Sequence, residues 1–265
     1  MARPMRFAEP VINATLPSMF MNKVAIITGA SRGIGLAIAR RLHQEGAKVA
    51  LCARSPIEEL GKERCLVVAM DIRDQKSVEA GVQRIVGRFG KVDIVVNNAG
   101  ISGVTPVDAP TTVPWLDIIQ TNLAGTYFVT RATVPHIPNG GRIIMMSSVL
   151  GKFGVPGYSA YCAAKTGLIG FTRALALELA PRKITVNAFC PGWVDTEMAR
   201  TGMRDIAAAQ GISVEDFKRQ ALSRVPLGEI VQPEEVANLV AFLASDAGKN
   251  ITAQAISICG GATQA

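Results

Sequence analysis

Two polar residues stand four apart in a small-residue, apolar stretch, Tyr161 and Lys165 in Ser159-Ala160-Tyr161-Cys162-Ala163-Ala164-Lys165. Helical spacing puts both on one face, with Cβ atoms about 5–6 Å apart. A free phenol, with a pKa of about 10, is a poor acid–base catalyst at neutral pH. A neighbouring ammonium favours the phenolate and lowers that pKa. The pair therefore predicts proton transfer with Tyr161 as general acid or base. Lys165 is also long enough to reach sugar hydroxyls. Ser148 precedes Tyr161 by thirteen residues, just after an apolar strand pattern. A hydroxyl there can polarise a substrate carbonyl; adjacent Ser147 is the weaker candidate. Asn122 interrupts an apolar helical pattern, where asparagine is an indifferent helix former. It reads either as a kink bonded to the i−4 carbonyl or as a water holder that relays protons to Lys165.

Such a site needs an electron source, and the N-terminal third provides a place for one. The run Thr28-Gly29-Ala30-Ser31-Arg32-Gly33-Ile34-Gly35 joins an apolar strand pattern to an amphipathic helix pattern. Glycines let the backbone turn sharply and approach a phosphate. The helix start offers free N–H groups and a positive dipole end. The spacing is GxxxGxG rather than GxGxxG, and its strand–turn–helix context is what makes it a dinucleotide signal. Gly29, Ser31, Arg32 and Ile34 are its candidate contacts. A site for NAD(H) usually carries an acid about 20 residues past the glycines. Here Ala53 stands at that point, followed by Arg54, and no acid occurs from Lys48 to Ser55. A guanidinium there can pair with a 2′-phosphate, and Arg32 can add a second cation. NADP(H) is expected over NAD(H). Asp71 ends the third strand pattern and can accept from the adenine amino group, with Ile72 against the ring. Asn98, Ala99 and Gly100 end the fourth, where small residues allow close backbone approach.

These residues need a scaffold that brings strand ends together. Apolar strand patterns span Val24–Thr28, Lys48–Cys52, Leu66–Met70, Ile94–Asn97, Arg142–Ser147, Thr185–Cys190 and Ala255–Ile258. Helical patterns lie at Gly33–Glu45, Gln75–Phe89, Pro114–Val134, Ser159–Leu179 and Pro233–Ser245. Val/Ile-rich runs without strict alternation mark strands covered on both faces. Alternation with helices predicts an α/β fold with a doubly wound parallel sheet. Residues 1–20 contain Pro4, Pro10 and Pro17 and no clear period, and are read as a flexible N-terminal arm. Residues 21–265 form one domain. Within it the polar, partly helical stretch Asp195–Val225 follows a strand end and is read as a mobile lid over the ligand edge.

Bulk properties narrow the class. A hydrophobic fraction of 49% with 18% charged residues excludes disorder over most of the chain. No apolar run reaches the roughly 18 residues of a spanning helix, and the N-terminus has no signal-peptide core. The expectation is a cytoplasmic protein. The five cysteines form no CxxC pair, which argues against a metal site or a disulfide framework. The net charge is +7, but the basic residues are scattered with no interleaved aromatics, which argues against a nucleic-acid surface. His43 and His136 belong to no Ser-His-Asp or metal-ligand arrangement.

Taken together, TGASRGIG, NNAG, Ser148 with Tyr161-xxx-Lys165, and Asn187-Ala188-Phe189-Cys190-Pro191-Gly192 resemble the short-chain dehydrogenase/reductases. The resemblance runs from about Asn22 to Gly261. It implies a seven-stranded Rossmann sheet, a homotetramer, and hydride transfer between a nicotinamide and a carbonyl or carbinol carbon. It also implies that the Pro191-Gly192 turn, Val194 and Thr196 contact the nicotinamide end. Within the family the chain is most similar to polyketide ketoreductases and 3-oxoacyl carrier-protein reductases, through Leu51-Cys52-Ala53-Arg54 and the segment from Thr252 to Gly261. Two departures bear on the substrate. Ile101-Ser102-Gly103-Val104 replaces the polyketide enzymes' glycine- and proline-containing motif. The segment between Arg54 and Cys65 is also short, so a helix there is truncated. The expected substrate is a small ketone or secondary alcohol, either free or linked to a carrier protein or CoA. For a carrier-linked, fatty-acid-type 3-oxoacyl thioester, Arg182 is a candidate docking cation; its other reading is a favourable charge at a helix C-terminus. A non-catalytic dinucleotide sensor is the alternative from another class, and the presence of both Tyr161 and Lys165 argues against it.

Overall fold

A computed structural model describes residues 19–57, 60–61 and 63–264. Residues 1–18, most of the expected arm, lie outside the described residues. Phe20, also assigned to the arm, is fully buried, and its N–H donates to the Glu45 carbonyl at 2.9 Å.

The strands are β1 (Val24–Thr28), β2 (Lys48–Ala53), β3 (Cys65–Ala69), β4 (Ile94–Asn97), β5 (Arg142–Met146), β6 (Thr185–Pro191) and β7 (Ala255–Ile258). They form one seven-stranded sheet in the order β3-β2-β1-β4-β5-β6-β7, with every pairing parallel. The expected strands all form, with ends shifted by a residue. The helices are α1 (Gly33–Gln44), α2 (Gln75–Phe89), α3 (Val113–Ile119), α4 (Gly125–Thr133), α5 (Ser159–Leu179), α6 (Glu197–Gln210), α7 (Val214–Ser223) and α8 (Pro233–Ala244). Between β2 and β3 no helix occurs among the described residues.

Side chains alternate across each strand, so the sheet feeds two cores. Ala25, Ile27, Val49 and Leu51 pack with Ile38 and Leu42 of α1 and Val236 and Val240 of α8. Ile26, Ala50, Val95 and Ile143 face the other way, against α2, α4 and α5. This two-sided burial is why the strands read as continuous apolar runs. Because all strands run in one direction, the carboxyl ends of β1, β4, β5 and β6 share one edge.

At the opposite edge, Asp93 fixes the start of β4. Its side chain is 4% exposed, accepts from the Val24 N–H at 2.8 Å, and meets Lys91 at 3.0 Å. Removing the carboxylate strands a buried donor, which costs about 1–3 kcal/mol. Asp93→Ala should lower unfolding stability by that amount in urea titration and leave cofactor affinity unchanged, since it lies at the far edge of the sheet.

Candidate active site

The glycine turn is held by a stitch between β1 and β4. Thr28 Oγ1 accepts from the N–H groups of Asn98 and Ala99, both at 3.0 Å. Asn98 Nδ2 donates to the carbonyls of Thr28 at 2.9 Å and Gly29 at 3.2 Å. No side chain fits inside the stitch. A Cβ on Gly35 would lie 2.3 Å from the Gly29 carbonyl oxygen, and one on Gly29, with its φ of +66°, would lie 2.8 Å from Ala99 Cα. Thr28 was not singled out from the sequence. A polar residue closing a wholly apolar strand was the available signal.

The turn fits a dinucleotide. Helix α1 starts with no side-chain cap and no acid in its first turn, so its leading N–H groups suit a pyrophosphate. Asn98 Oδ1 is buried with no hydrogen-bond partner, an acceptor open to a ligand donor. Arg54 is exposed after β2, beside Asp71. Asp71 itself is gripped by Arg73, whose Nη2 lies 2.7 Å from its carboxylate, and that guanidinium holds the carboxyl below its usual range. Ile72 is buried, facing the Gly125 backbone. Ser31 and Ile34 are half-buried in the turn.

The four candidate catalytic residues converge at the same edge. Asn122 lies in a π-helical turn, Gln120–Ala124, between α3 and α4. Its amide closes a double bond with Ile101: Oδ1 accepts from the Ile101 N–H and Nδ2 donates to the Ile101 carbonyl, each at 2.8 Å. The side chain thus bonds across to another segment rather than to the i−4 carbonyl. A Cβ on Gly100 would sit 3.0 Å from Asn122 Oδ1 and 3.6 Å from Lys165 Nζ, so glycine leaves the space where these groups meet. Ser148 caps a short helical turn and interacts with the Tyr161 hydroxyl. Ser147 is turned away and donates to the Lys165 backbone carbonyl at 2.8 Å, a positioning contact for α5.

The electrostatics differ from the expectation of a Tyr161 pKa lowered by Lys165. Lys165 Nζ lies 5.4 Å from the centre of the Tyr161 ring and donates to the Met146 carbonyl at 2.8 Å. The ammonium therefore faces a backbone oxygen. Burial pushes Tyr161 up to about 12, against a smaller opposing pull from Ser148. Burial also pushes Lys165 down to about 8, with the Cys190 thiol opposing. Desolvation, which disfavours each charged form, is the largest cause of both shifts.

Beyond β6, Pro191 ends the strand and Gly192 packs on Cys259. Val194 is buried and bridges to Val231. Thr196 caps α6, accepting from the Ala199 N–H at 3.3 Å. The lid stretch consists of α6 and α7. Phe217 of α7 meets Trp193 edge-on, 6.2 Å between ring centres, and Asp205 of α6 faces Tyr158. Arg182, the candidate docking cation, donates to the carbonyls of Val134 and Ile137, so its guanidinium is engaged in closing the chain after α4. His43 and His136 lie outside the edge, and no cluster of three or more His, Cys, Asp or Glu occurs among the described residues.

A parallel sheet that gathers a glycine turn and a Ser–Tyr–Lys group at one edge defines a dinucleotide-dependent oxidoreductase of Rossmann type. Residues 29–263 match the family described as "Enoyl-(Acyl carrier protein) reductase". A Streptomyces virginiae protein described as a ketoacyl reductase of the monensin polyketide synthase is 42% identical over 252 residues, 91% of this chain and 97% of that protein. The Escherichia coli 3-oxoacyl-[acyl-carrier-protein] reductase FabG is 39% identical over 249 residues, 91% of this chain and 98% of that protein. The structure of a tryptophan variant of actinorhodin polyketide ketoreductase with NADPH superposes with a TM-score of 0.84 at 39% identity, covering 92% of this chain and 98% of that one. The chain belongs to the short-chain dehydrogenase/reductase family.

The buried lysine predicts a measurable pH response. Its folded pKa of about 8 lies below the ordinary 10.5. Above pH 8 the native state has released a proton that the unfolded chain still holds, so stability rises with pH. Tyr161 reverses the sign above pH 10, where the unfolded chain loses a proton that the native state keeps. Between pH 8 and 10, wild type should gain about 1–3 kcal/mol relative to Lys165→Met. Urea unfolding at both pH values measures this. Parallel pH dependences would show that the lysine is not desolvated.

Proposed function

We propose that the protein is an NADP(H)-dependent ketoreductase that converts a ketone to a secondary alcohol, or the reverse. The observation that carries the reading is the meeting of Asn122, Ser148, Tyr161 and Lys165 at the sheet edge that also holds the glycine turn. When bound, the cofactor supplies the hydride. Gly29, Ser31, Arg32, Ile34 and the start of α1 hold its phosphates, and Arg54 with Arg32 selects the 2′-phosphate. Asp71, Ile72 and the Asn98-Ala99-Gly100 backbone line the adenosine side. Pro191, Gly192, Val194 and Thr196 line the nicotinamide side.

Ser148 hydrogen-bonds the substrate carbonyl and Tyr161 delivers the proton to its oxygen. Lys165 holds the ribose and orients Tyr161. Asn122, its side chain fixed on Ile101, holds water that refills the proton. The high pKa of Tyr161 in this structure keeps the phenol protonated, which suits it as the acid in reduction. A carbonyl on a carrier-linked 3-oxoacyl chain is the favoured substrate class, because the relatives named as ketoacyl and 3-oxoacyl reductases align over nearly their whole length.

Residues 21–265 are read as the catalytic domain, with 195–225 as its lid. A homotetramer is proposed on the apolar side chains that α3, α4 and α5 expose, among them Leu116, Tyr127 and Leu177. A cytoplasmic setting is proposed on the five cysteines, for which no disulfide is seen among the described residues; no helix among the described residues is long and apolar enough to cross a membrane.

A panel of ketones and 3-oxoacyl thioesters, followed at the nicotinamide absorbance with both cofactors, tests the reading. Tyr161→Phe should lower kcat by about 10²–10⁴-fold while NADPH affinity holds. Arg54→Ala should weaken NADPH about tenfold or more and leave NADH unaffected. Turnover that prefers NADH, or that survives loss of the phenol, would refute the assignment. Light scattering should give a mass near four times 28.0 kDa.

A further inference from the structure

Arg32 and Glu197 lie far apart in sequence yet form an ion pair, Nη1 to Oε2, at 2.7 Å. Arg32 is the residue on which α1 starts, and Glu197 is the first residue of α6. A second contact runs beside this one. A Cβ on Gly33 would lie 3.3 Å from Thr196 Cγ2, so the cap of α6 rests against the glycine turn. The first turn of the lid is thereby seated on the turn that faces the phosphates. The carboxylate of Glu197 also sits where an anion is favoured, beside a guanidinium at the uncapped start of α1. Both side chains are largely exposed, 77% and 62%. Such a pair is worth little and exchanges readily.

We propose that Glu197 tunes cofactor specificity by competing with the 2′-phosphate for Arg32, and that the exchange frees the first turn of α6 from the glycine turn. The inference rests on the reading of Arg32 as a phosphate-binding cation. A phosphomonoester brings nearly two negative charges and three acceptor oxygens against the single charge of a carboxylate. It therefore wins the guanidinium. A dinucleotide without the 2′-phosphate offers no such competitor at that point and leaves the pair closed. The phosphate that selects the cofactor then also unlatches the lid on the substrate side.

Two fragments separate the parts of this proposal: 2′,5′-ADP, which carries the 2′-phosphate, and 5′-AMP, the same molecule without it. Calorimetric titration of the full chain gives their affinities, and backbone hydrogen exchange at residues 200–204 reads the start of α6. Glu197→Gln should tighten 2′,5′-ADP by about two- to five-fold and leave 5′-AMP unchanged. In wild type, 2′,5′-ADP should speed exchange at residues 200–204 while 5′-AMP does not. In Glu197→Gln that exchange should be fast before any ligand is added. Arg32→Ala should weaken 2′,5′-ADP more than 5′-AMP. If Arg32→Ala weakens it but Glu197→Gln does nothing, the competition is refuted and the phosphate reading stands. If Arg32→Ala leaves it unchanged, the phosphate reading fails and the inference fails with it. Equal tightening of both fragments in Glu197→Gln would mark a general charge effect and overturn the proposal.

Discussion

The ends of β1 and β4 approach so closely that nothing larger than glycine fits between them. Gly29 and Gly35 back onto each other, and the Asn98 amide closes the gap by donating to two carbonyls of the β1 end. This contact fixes where α1 begins. The start of α1 in turn fixes Arg32, which meets Glu197 of α6, and Gly33, on which Thr196 rests. A side chain forced in at position 35 would displace backbone, because the obstruction is the Gly29 carbonyl rather than a flexible side-chain tip. The glycine turn, the start of α6 and the segment after β4 that carries Gly100 are thus placed by one close backbone approach.

The Tyr161–Lys165 pair is assembled against the interest of stability. A lysine ammonium is buried on a single backbone carbonyl, and a phenol is buried beside it. Each charged form is disfavoured by desolvation. The scaffold imposes this arrangement through α5, which is held on β5 by Ser147 and lies close to Gly151. Burial thus keeps the Tyr161 phenol protonated and weakens the hold of Lys165 on its proton.

The stretch proposed as a lid differs in kind from the rest. Helix α7 has no buried residue, and α6 buries only Met203 and Ala207. Its contacts with the body include the Arg32–Glu197 pair, Thr196 against Gly33, Val225 against Gly260, the Trp193–Phe217 edge contact and the Asp205–Tyr158 approach. Elements with little buried apolar area open at low free energy.

The sequence by itself determined the features that are local or periodic. Continuous Val/Ile runs alternating with helical patterns gave the parallel sheet, because strands buried on both faces cannot alternate. The glycine turn and the four-residue step from Tyr161 to Lys165 were legible because backbone conformation and helix geometry act over a few residues. Ser148 and Asn122 stood out as polar residues in apolar surroundings. The tertiary structure alone decided what those groups touch. Lys165 turns to the carbonyl of Met146, and Asn122 clamps the backbone of Ile101, yet every residue has a carbonyl and none announces itself in sequence. Arg73 on Asp71, Arg182 on two loop carbonyls and Glu197 on Arg32 are likewise choices of partner among many charges. An ion pair between residues 32 and 197 depends on two strand ends and a helix start meeting in space, and only the folded chain brings them there.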